Sequence, residues 1–322
     1  MAHPRTTDLE IPELYCPFVS RISPHADALE AANLAWLELL QLVPRGGARA
    51  RFGRLAARAY PDACLDTLGI AAAWATWLFL RDDQCDEGGI SCDPRAMRIL
   101  ADHQIDVLAG RRPHHRDDPL TSALADLRDR MLARGGGRWM ARFLGNVQDY
   151  FDASIWESDN RARGRVPDLS TYVRLRDLTG AVRTCFDIFE LIEGALAIEA
   201  RHDARLARLM RLANRAICWS NDLFSIRKEL AHGDFHNLAI VLQHEEAIPL
   251  RDAIDRAVEM HDDAVRSFEH HEHRLLETTG SPQIHQFVDA LKGWVRANLD
   301  WSIETGRYAR IEPAIDAQRI LA

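Results

Sequence analysis

The sequence feature that most constrains the fold is an apolar run in the first third of the chain. Between Leu68 and Leu80 it is interrupted only by Gly69 and Thr76, and it is too short to span a bilayer. A helix that is apolar on all its faces is usually buried among other elements. We therefore expect a central helix over about residues 63–83, with further helices packed around it.

Helical patterning also dominates the rest of the chain. Apolar residues recur at the spacing of an α-helix in these segments: 29–42, a short one before Tyr60, a long one from near Ser170 with Gly180 in its interior, and 202–230, 249–277 and 283–308. Loops are expected where Pro, Gly and charged residues cluster, at 44–47, 111–119, 134–137 and 163–167.

The sequence predicts one all-α domain over residues 1–322. No segment shows the alternation and hairpin turns that are typical of β-strands, and no repeat or long linker divides the chain. Residues 1–24 contain several prolines and are expected to form an extended N-terminal lead-in, and residues 309–322 a C-terminal tail. Hydrophobic residues make up 47% of the chain, so a sizeable core can be buried.

Net charge and cysteine content indicate which partners and which cellular compartment to expect. The net charge is −8, which argues against nucleic acid or an anionic membrane as a partner. The six cysteines form neither a CxxC pair nor a zinc-finger spacing, and scattered thiols of this kind are typical of a reduced compartment. The N-terminus has no apolar signal segment. We therefore expect a cytoplasmic protein without a membrane span.

Four carboxylates follow the apolar run within six residues: Asp82, Asp83, Asp86 and Glu87. Asp82 and Asp86 are four residues apart and lie on the same side of a helix. Like charges this close repel one another, and the helix macrodipole disfavours anions at a helix C-terminus. A hard divalent cation such as Mg²⁺ removes both penalties. The alternative is a solvated acidic turn, but such a turn does not explain why the acids end a buried helix.

A second polar stripe consists of Asn221, Ser225 and Glu229. Their spacing of four residues aligns the three side chains on one face of a helix. Amide, hydroxyl and carboxylate oxygens together suit one Mg²⁺, and the adjoining Lys228 can pair with a phosphorylated ligand. The alternative is the polar face of an ordinary amphipathic helix. Because Asn and Ser are poor residues for a helix interior, we favour a metal site.

These motifs resemble those of bacterial-type class I terpene synthases. The second stripe, Asn221-Asp222-x-x-Ser225-x-x-Lys228-Glu229, is similar to that family's Asn/Ser/Glu metal-binding triad, and the acidic cluster resembles its aspartate-rich motif. Two further segments also match the family: Arg176-Asp177-Leu178-Thr179-Gly180 and Arg307-Tyr308. The resemblance covers about residues 16–308. It implies an all-α helical bundle around a central active-site cavity.

The resemblance also implies how the metal is held. Asp82 and Asp86 would bind Mg²⁺ at one site, whereas Asn221, Ser225 and Glu229 would hold a separate ion. Three Mg²⁺ ions are expected in all.

The remaining motif residues would act on the substrate. Four side chains would bind its diphosphate: Arg176, Lys228, Arg307 and Tyr308. Asp83 would contact a diphosphate-binding arginine when the site closes. At a helix break after Thr179, the linker residue, Gly180 would direct an unpaired carbonyl at the developing cation, with Arg176 pointing into the cavity shared by Asp82 and Asn221.

Aromatic side chains are expected along the cavity, because their negative faces stabilise a carbocation. Phe79 lies one turn before Asp82 and Trp301 six residues before Arg307, and we favour these two. Phe186 and Trp219 are weaker candidates, and core packing is the alternative for each.

The expected activity is Mg²⁺-dependent ionisation and cyclisation of a linear isoprenyl diphosphate. Farnesyl diphosphate, giving a sesquiterpene, is the favoured substrate, and a diterpene cyclase acting on geranylgeranyl diphosphate is an alternative. A chain-elongating prenyltransferase would carry two aspartate-rich motifs, and a non-catalytic helical scaffold would not need the intact metal motifs. The product cannot be read from the motifs, and a homodimer remains open.

Overall fold

The structure, a computed structural model, describes residues 10–42, 50–87, 89–114, 117–194 and 196–308. Within these ranges the chain forms twelve α-helices and no β-strand. The helices are α1 (Ala26–Leu39), α2 (Phe52–Ala59), α3 (Leu65–Glu87), α4 (Pro94–Ala109), α5 (Pro119–Arg163), α6 (Leu169–Thr179), α7 (Val182–Glu193), α8 (Ile198–Arg201), α9 (Ala204–His232), α10 (Leu238–Glu246), α11 (Leu250–Leu276) and α12 (Pro282–Glu304). A short 3-10 helix, Gly306–Tyr308, follows.

The apolar run lies in α3, which packs against α1, α2, α5 and α7. Trp74 and Trp77 have no exposed surface, and their rings stack with centroids 5.2 Å apart. The indole N–H of Trp74 donates to the Thr184 hydroxyl, and that of Trp77 to the Leu120 carbonyl. Both polar atoms are therefore satisfied in the core. The prediction of a buried central helix is confirmed.

Capping side chains explain where several helices begin. The side chain of the residue before the helix accepts from backbone N–H groups of the first turn at Asp93, Asp118, Asp168, Asp203, Asn237 and Ser281. Proline stands at the start of α4, α5 and α12, where its missing N–H costs nothing. The helices expected at 202–230 and 249–277 are confirmed within two residues as α9 and α11.

The loop expected at residues 134–137 is wrong. The chain stays helical through this segment and only kinks, at Gly136, whose φ of 70° lies in the left-handed region. The flanking residues are fixed by packing, since Trp139 stacks on Phe143 with centroids 4.8 Å apart and Arg134 donates to the Leu191 carbonyl. These contacts hold α5 together across three glycines that would weaken an isolated helix.

Residues 10–25 form no helix, as expected for the lead-in, and they lie across the C-terminal helices. The backbone N–H of Tyr15 donates to Asp262 on α11 at 2.9 Å, and the Ser20 hydroxyl donates to Asp300 on α12 at 2.5 Å. Phe18 packs edge-on against Phe268. The expected tail at 309–322 lies outside the described residues.

The active-site motifs are brought together by the packing of α9, which contacts α6, α7, α11 and α12. In the described part of the chain, no helix is both long and apolar enough to span a membrane.

Candidate active site

Most of the described motif residues line a cavity with an apolar and a polar compartment, but Asp83, Ser225, Arg307 and Tyr308 line neither. The two compartments have volumes of about 130 and 100 Å³. Five residues line both of them: Asp82, Tyr150, Arg176, Thr179 and Asn221. Leu55, Leu78, Phe79, Val182 and Ile217 are among those that line only the apolar compartment. Arg161, Lys228, Glu229 and Asp234 are among those that line only the polar one. Such a division suits a molecule with a charged head and a hydrocarbon tail.

Three oxygen-bearing side chains of α9 follow one another on one stripe of the helix, and two of them, Asn221 and Glu229, line the polar compartment. The Ser225 hydroxyl donates to Glu229 Oε1 at 2.7 Å and to the Asn221 backbone carbonyl at 2.8 Å. Desolvation and the nearby carboxylates Asp222 and Asp234 raise the pKa of Glu229 to about 8. The sequence therefore predicted the alignment of Asn221, Ser225 and Glu229 correctly.

The acidic end of α3 lies against cationic side chains from α9 and from the chain after α12. Arg307 donates to both oxygens of the buried Asp83 carboxylate, at 2.9 Å each, and lies 3.5 Å from Asp82. Lys228 Nζ lies 3.7 Å from Asp82 and 3.5 Å from Asp83. The Asp82 side chain keeps 57% of its surface exposed. The side chain of Asp86 lies outside the described part of the structure.

Arg176 and Tyr308 both bind Asn221. Arg176 Nη2 donates to Asn221 Oδ1 at 3.0 Å, and Asn221 Nδ2 donates to the Tyr308 hydroxyl at 2.7 Å. The sequence correctly placed Arg176 in the same cavity as Asp82 and Asn221. As long as these contacts persist, the guanidinium of Arg176 occupies the Asn221 amide oxygen.

The buried carboxylate of Asp222 positions Arg176, a role that the sequence analysis missed. Asp222 Oδ1 lies 2.7 Å from Arg176 Nη2, and its Oδ2 accepts from the Tyr172 hydroxyl at 2.5 Å and from the Leu238 N–H at 3.1 Å. Asn237 similarly donates to Glu229 Oε2 at 2.5 Å. Asp222 lies inside the Asn/Ser/Glu motif, but its neighbours Tyr172 and Leu238 are distant in sequence and give no local signal.

The helix breaks at Gly180, as the resemblance implied. α6 ends at Thr179, Ala181 takes a left-handed φ of 55°, and α7 begins at Val182. Among the described residues no backbone N–H donates to the Gly180 carbonyl, whereas the Thr184 N–H donates to that of Ala181. A Cβ at Gly180 would lie only 2.3 Å from Cys218 Sγ. Close packing therefore requires glycine here as well.

The aromatic lining differs from the expectation. Phe79 lines the apolar compartment, but Trp301 does not. Trp301 has no exposed surface, and it packs behind Phe79 with ring centroids 5.1 Å apart. Neither Phe186 nor Trp219 contributes to the lining, whereas Tyr150 and Trp294 do. Helical spacing identified helices that line the cavity. It could not show which aromatic side chains would be separated from the cavity by another ring.

Comparison with known proteins agrees with this geometry. The family model described as "Terpene synthase family 2, C-terminal metal binding" matches residues 73–267. The (+)-T-muurolol synthase of Roseiflexus castenholzii is 42% identical over 303 residues, which cover 92% of this chain and 93% of the relative. The chain belongs to terpene synthase family 2. The (+)-eremophilene synthase of Sorangium cellulosum is 35% identical, with 93% of both chains covered.

Solved structures share the fold of this terpene synthase. The crystal structure of SVS_A2, a protein from ancestral sequence reconstruction, superposes with a TM-score of 0.85 at 24% identity, covering 91% of this chain and 90% of that one. The linalool/nerolidol synthase of Streptomyces clavuligerus gives a TM-score of 0.79 at 25% identity, covering 90% of this chain and all of that one. The prediction of a bacterial-type class I terpene synthase with an all-α fold is confirmed.

Membership of this family implies a divalent metal, and the donor chemistry of the site fits one. Ser225 and Glu229 place two oxygens 2.7 Å apart on the α9 stripe, and oxygen ligands suit hard divalent cations. A cation beside Glu229 would also favour its charged form, which desolvation disfavours. Among the described residues no group of three or more His, Cys, Asp or Glu side chains is placed to hold a metal ion, and the α9 stripe itself contains only one such side chain, Glu229.

Proposed function

We propose that this terpene synthase ionises farnesyl diphosphate and cyclises the resulting cation to a sesquiterpene, with release of diphosphate. The observation that carries the proposal is the division of one cavity into a polar compartment, lined by Arg176 and Lys228, and an apolar compartment lined by Phe79. The name of the (+)-T-muurolol synthase describes it as cyclising (2E,6E)-farnesyl diphosphate, and the relatedness of the two chains favours the same C15 substrate.

Mg²⁺ is the proposed metal, with three ions bound together with the diphosphate. Asp82 and Asp86 would hold metal at the end of α3, and Asn221, Ser225 and Glu229 would hold it on α9. Bound Mg²⁺ would stabilise the negative charge that develops on the leaving group. The Asp82 carboxylate is accessible for this role, because more than half of its side-chain surface is exposed.

The cationic side chains would bind the diphosphate oxygens. Arg176, Lys228 and Arg307, with the hydroxyl of Tyr308, contact either the acidic end of α3 or Asn221, and Arg176 and Lys228 line the polar compartment. We propose that Asp83 holds Arg307 in place through its two-pronged contact. Asp222 would position Arg176 in the same way.

The apolar compartment would exclude water and shape the hydrocarbon chain. A carbocation is quenched by any nucleophile that reaches it, so a cavity lined by Leu78, Phe79 and Val182 favours cyclisation. The ring of Phe79 would stabilise positive charge through its face. The Gly180 carbonyl, which lies at the break after Thr179 and accepts from no backbone N–H among the described residues, would add a negative dipole.

The proposal is tested by incubating the purified protein with Mg²⁺ and, separately, the C10, C15 and C20 isoprenyl diphosphates, followed by mass spectrometry of organic extracts. We expect cyclic C15 hydrocarbons or alcohols from farnesyl diphosphate and much slower turnover of the other two substrates. Cyclic C20 products would instead indicate a diterpene cyclase, and a lengthened linear diphosphate would indicate a prenyltransferase. The absence of diphosphate release from all three substrates would contradict the assignment.

A further inference from the structure

A buried arginine whose direct side-chain partners among the described residues are neutral precedes the acidic motif. Arg81 has 1% of its surface exposed. Its Nε donates to Gln104 Oε1 at 2.9 Å and its Nη1 to the Tyr150 hydroxyl oxygen at 3.2 Å, and the guanidinium lies 4.1 Å from the centre of the Phe151 ring. All three partners are neutral. Nη2 is buried and has no hydrogen-bond partner among the described residues.

Arg81 and Tyr150 both reach the cavity. Arg81 lines the polar compartment, and Tyr150 lines both compartments beside Asp82, Arg176 and Asn221. Tyr150 therefore lies where the charged head and the hydrocarbon tail of a substrate would join. Neither residue belongs to a motif that the sequence analysis singled out for function.

The direction of the hydrogen bonds shows what this pair can bind. A guanidinium only donates, so Arg81 occupies the Tyr150 oxygen as an acceptor and leaves the hydroxyl proton for another group. Burial raises the pKa of Tyr150 to about 12, so the hydroxyl keeps its proton at neutral pH. A buried donor without an acceptor is unfavourable, and Arg81 Nη2 is such a donor among the described residues. An oxyanion in the polar compartment would supply an acceptor.

We propose that Tyr150 donates a hydrogen bond to a diphosphate oxygen of the substrate, and that Arg81 is a positioning residue that orients and polarises the Tyr150 hydroxyl. This inference rests on the proposed function. Hydrogen bonds to charged acceptors are stronger than those to neutral ones. Because negative charge on the diphosphate grows during ionisation, the contact should strengthen in the transition state and act more on kcat than on KM.

The first test is calorimetric titration of inorganic diphosphate with saturating Mg²⁺ into the wild type and Tyr150→Phe. We expect the Kd for diphosphate to rise about tenfold in the variant, and kcat with farnesyl diphosphate to fall more than KM changes. Tyr60→Phe is the matched control: Tyr60 is also buried and its hydroxyl donates to the Cys185 carbonyl, but it lines neither compartment. It should lose stability without losing affinity for diphosphate.

The second test asks whether Arg81 acts through Tyr150. Arg81→Gln alone should also weaken diphosphate binding, but in the Tyr150→Phe background it should add little, which a double-mutant cycle measures. A purely structural role predicts a lower melting temperature in both backgrounds and an unchanged Kd. If Arg81→Gln does not fold, the isosteric Tyr150→Phe variant decides alone. Wild-type affinity in Tyr150→Phe, with cyclisation intact in the wild type, overturns this inference and leaves the proposed function standing.

Discussion

At the scale of single residues, the α9 stripe carries most of the proposed chemistry. We predict that Asn221→Ala or Glu229→Ala lowers turnover about 100-fold or more, because each removes a proposed metal ligand from a site that stabilises developing charge. Neither residue belongs to the hydrophobic core, so the variants should remain folded. Diphosphate release and product formation are measured with saturating Mg²⁺, with the exposed Glu38→Ala as a control. Near wild-type turnover in either variant contradicts the ligand assignment.

A second residue-scale prediction concerns Asp187 on α7, whose side chain accepts from Asn146 Nδ2 at 2.7 Å. Burial raises the pKa of Asp187 to about 6, and Glu190, Arg142 and Arg183 are the charged groups that act on it. The folded state thus binds this proton more tightly than the unfolded state does, so the contribution of Asp187 to stability falls as pH rises from about 4 to about 6.

Asp187→Asn removes the charge and keeps an acceptor for Asn146. The stability of the variant relative to the wild type should therefore increase between pH 4 and pH 6.5 and stay constant above that. Melting temperatures of both proteins across this range provide the measurement. A difference between the two proteins that does not vary with pH would show that Asp187 titrates normally.

At the scale of elements, the break between α6 and α7 combines a packing requirement with a proposed function. Gly180→Ala should lower stability by about 1–3 kcal/mol through overpacking, because the new methyl group would overlap Cys218 Sγ at 2.3 Å. We expect Cys218→Ala to restore most of the melting temperature in the double variant, since it removes the sulfur. If the position of the Gly180 carbonyl matters for catalysis, the activity of these variants should depend on the backbone geometry at residue 180 and not on their melting temperatures. A melting temperature unchanged by Gly180→Ala would contradict the packing argument.

The elements also show what could be predicted from the sequence. The apolar run predicted that α3 is buried, and the spacing of Asn221, Ser225 and Glu229 predicted that these side chains share one face of α9. Both predictions depend only on helix periodicity. The segment at 134–137 was wrongly predicted as a loop, since its helical state depends on Trp139 and other tertiary contacts. Trp301 was wrongly placed in the cavity because Phe79 covers it.

At the scale of the whole molecule, the site couples distant parts of the chain. Asp83 and Arg307 are 224 residues apart in sequence, and no local pattern predicts their contact; only the family resemblance anticipated that Asp83 would contact an arginine. The role of Asp222 needed the structure, because Tyr172 and Arg176 of α6 and Leu238 of α10 reach it on α9.

This coupling predicts that ligands stabilise the whole fold. Mg²⁺ with inorganic diphosphate should raise the melting temperature by about 5 °C at saturation, because a ligand that binds only the folded state stabilises it by mass action. Diphosphate alone should do much less, since Asp82 and Glu229 would remain without a metal. Thermal shift assays with each component and with both provide the measurement. An equal shift with and without Mg²⁺ would contradict a joint metal–diphosphate site.

The position of the lead-in, residues 10–25, has a consequence for folding during synthesis on the ribosome. Tyr15 and Ser20 are synthesised 247 and 280 residues before their partners Asp262 and Asp300. The lead-in can pair early with Ala57 and Asp62 through Ser23 and Arg21, whereas its contacts with α11 and α12 are of long range and form late. The contacts of the lead-in with both Asp262 and Asp300 can be complete only after α12 has been translated.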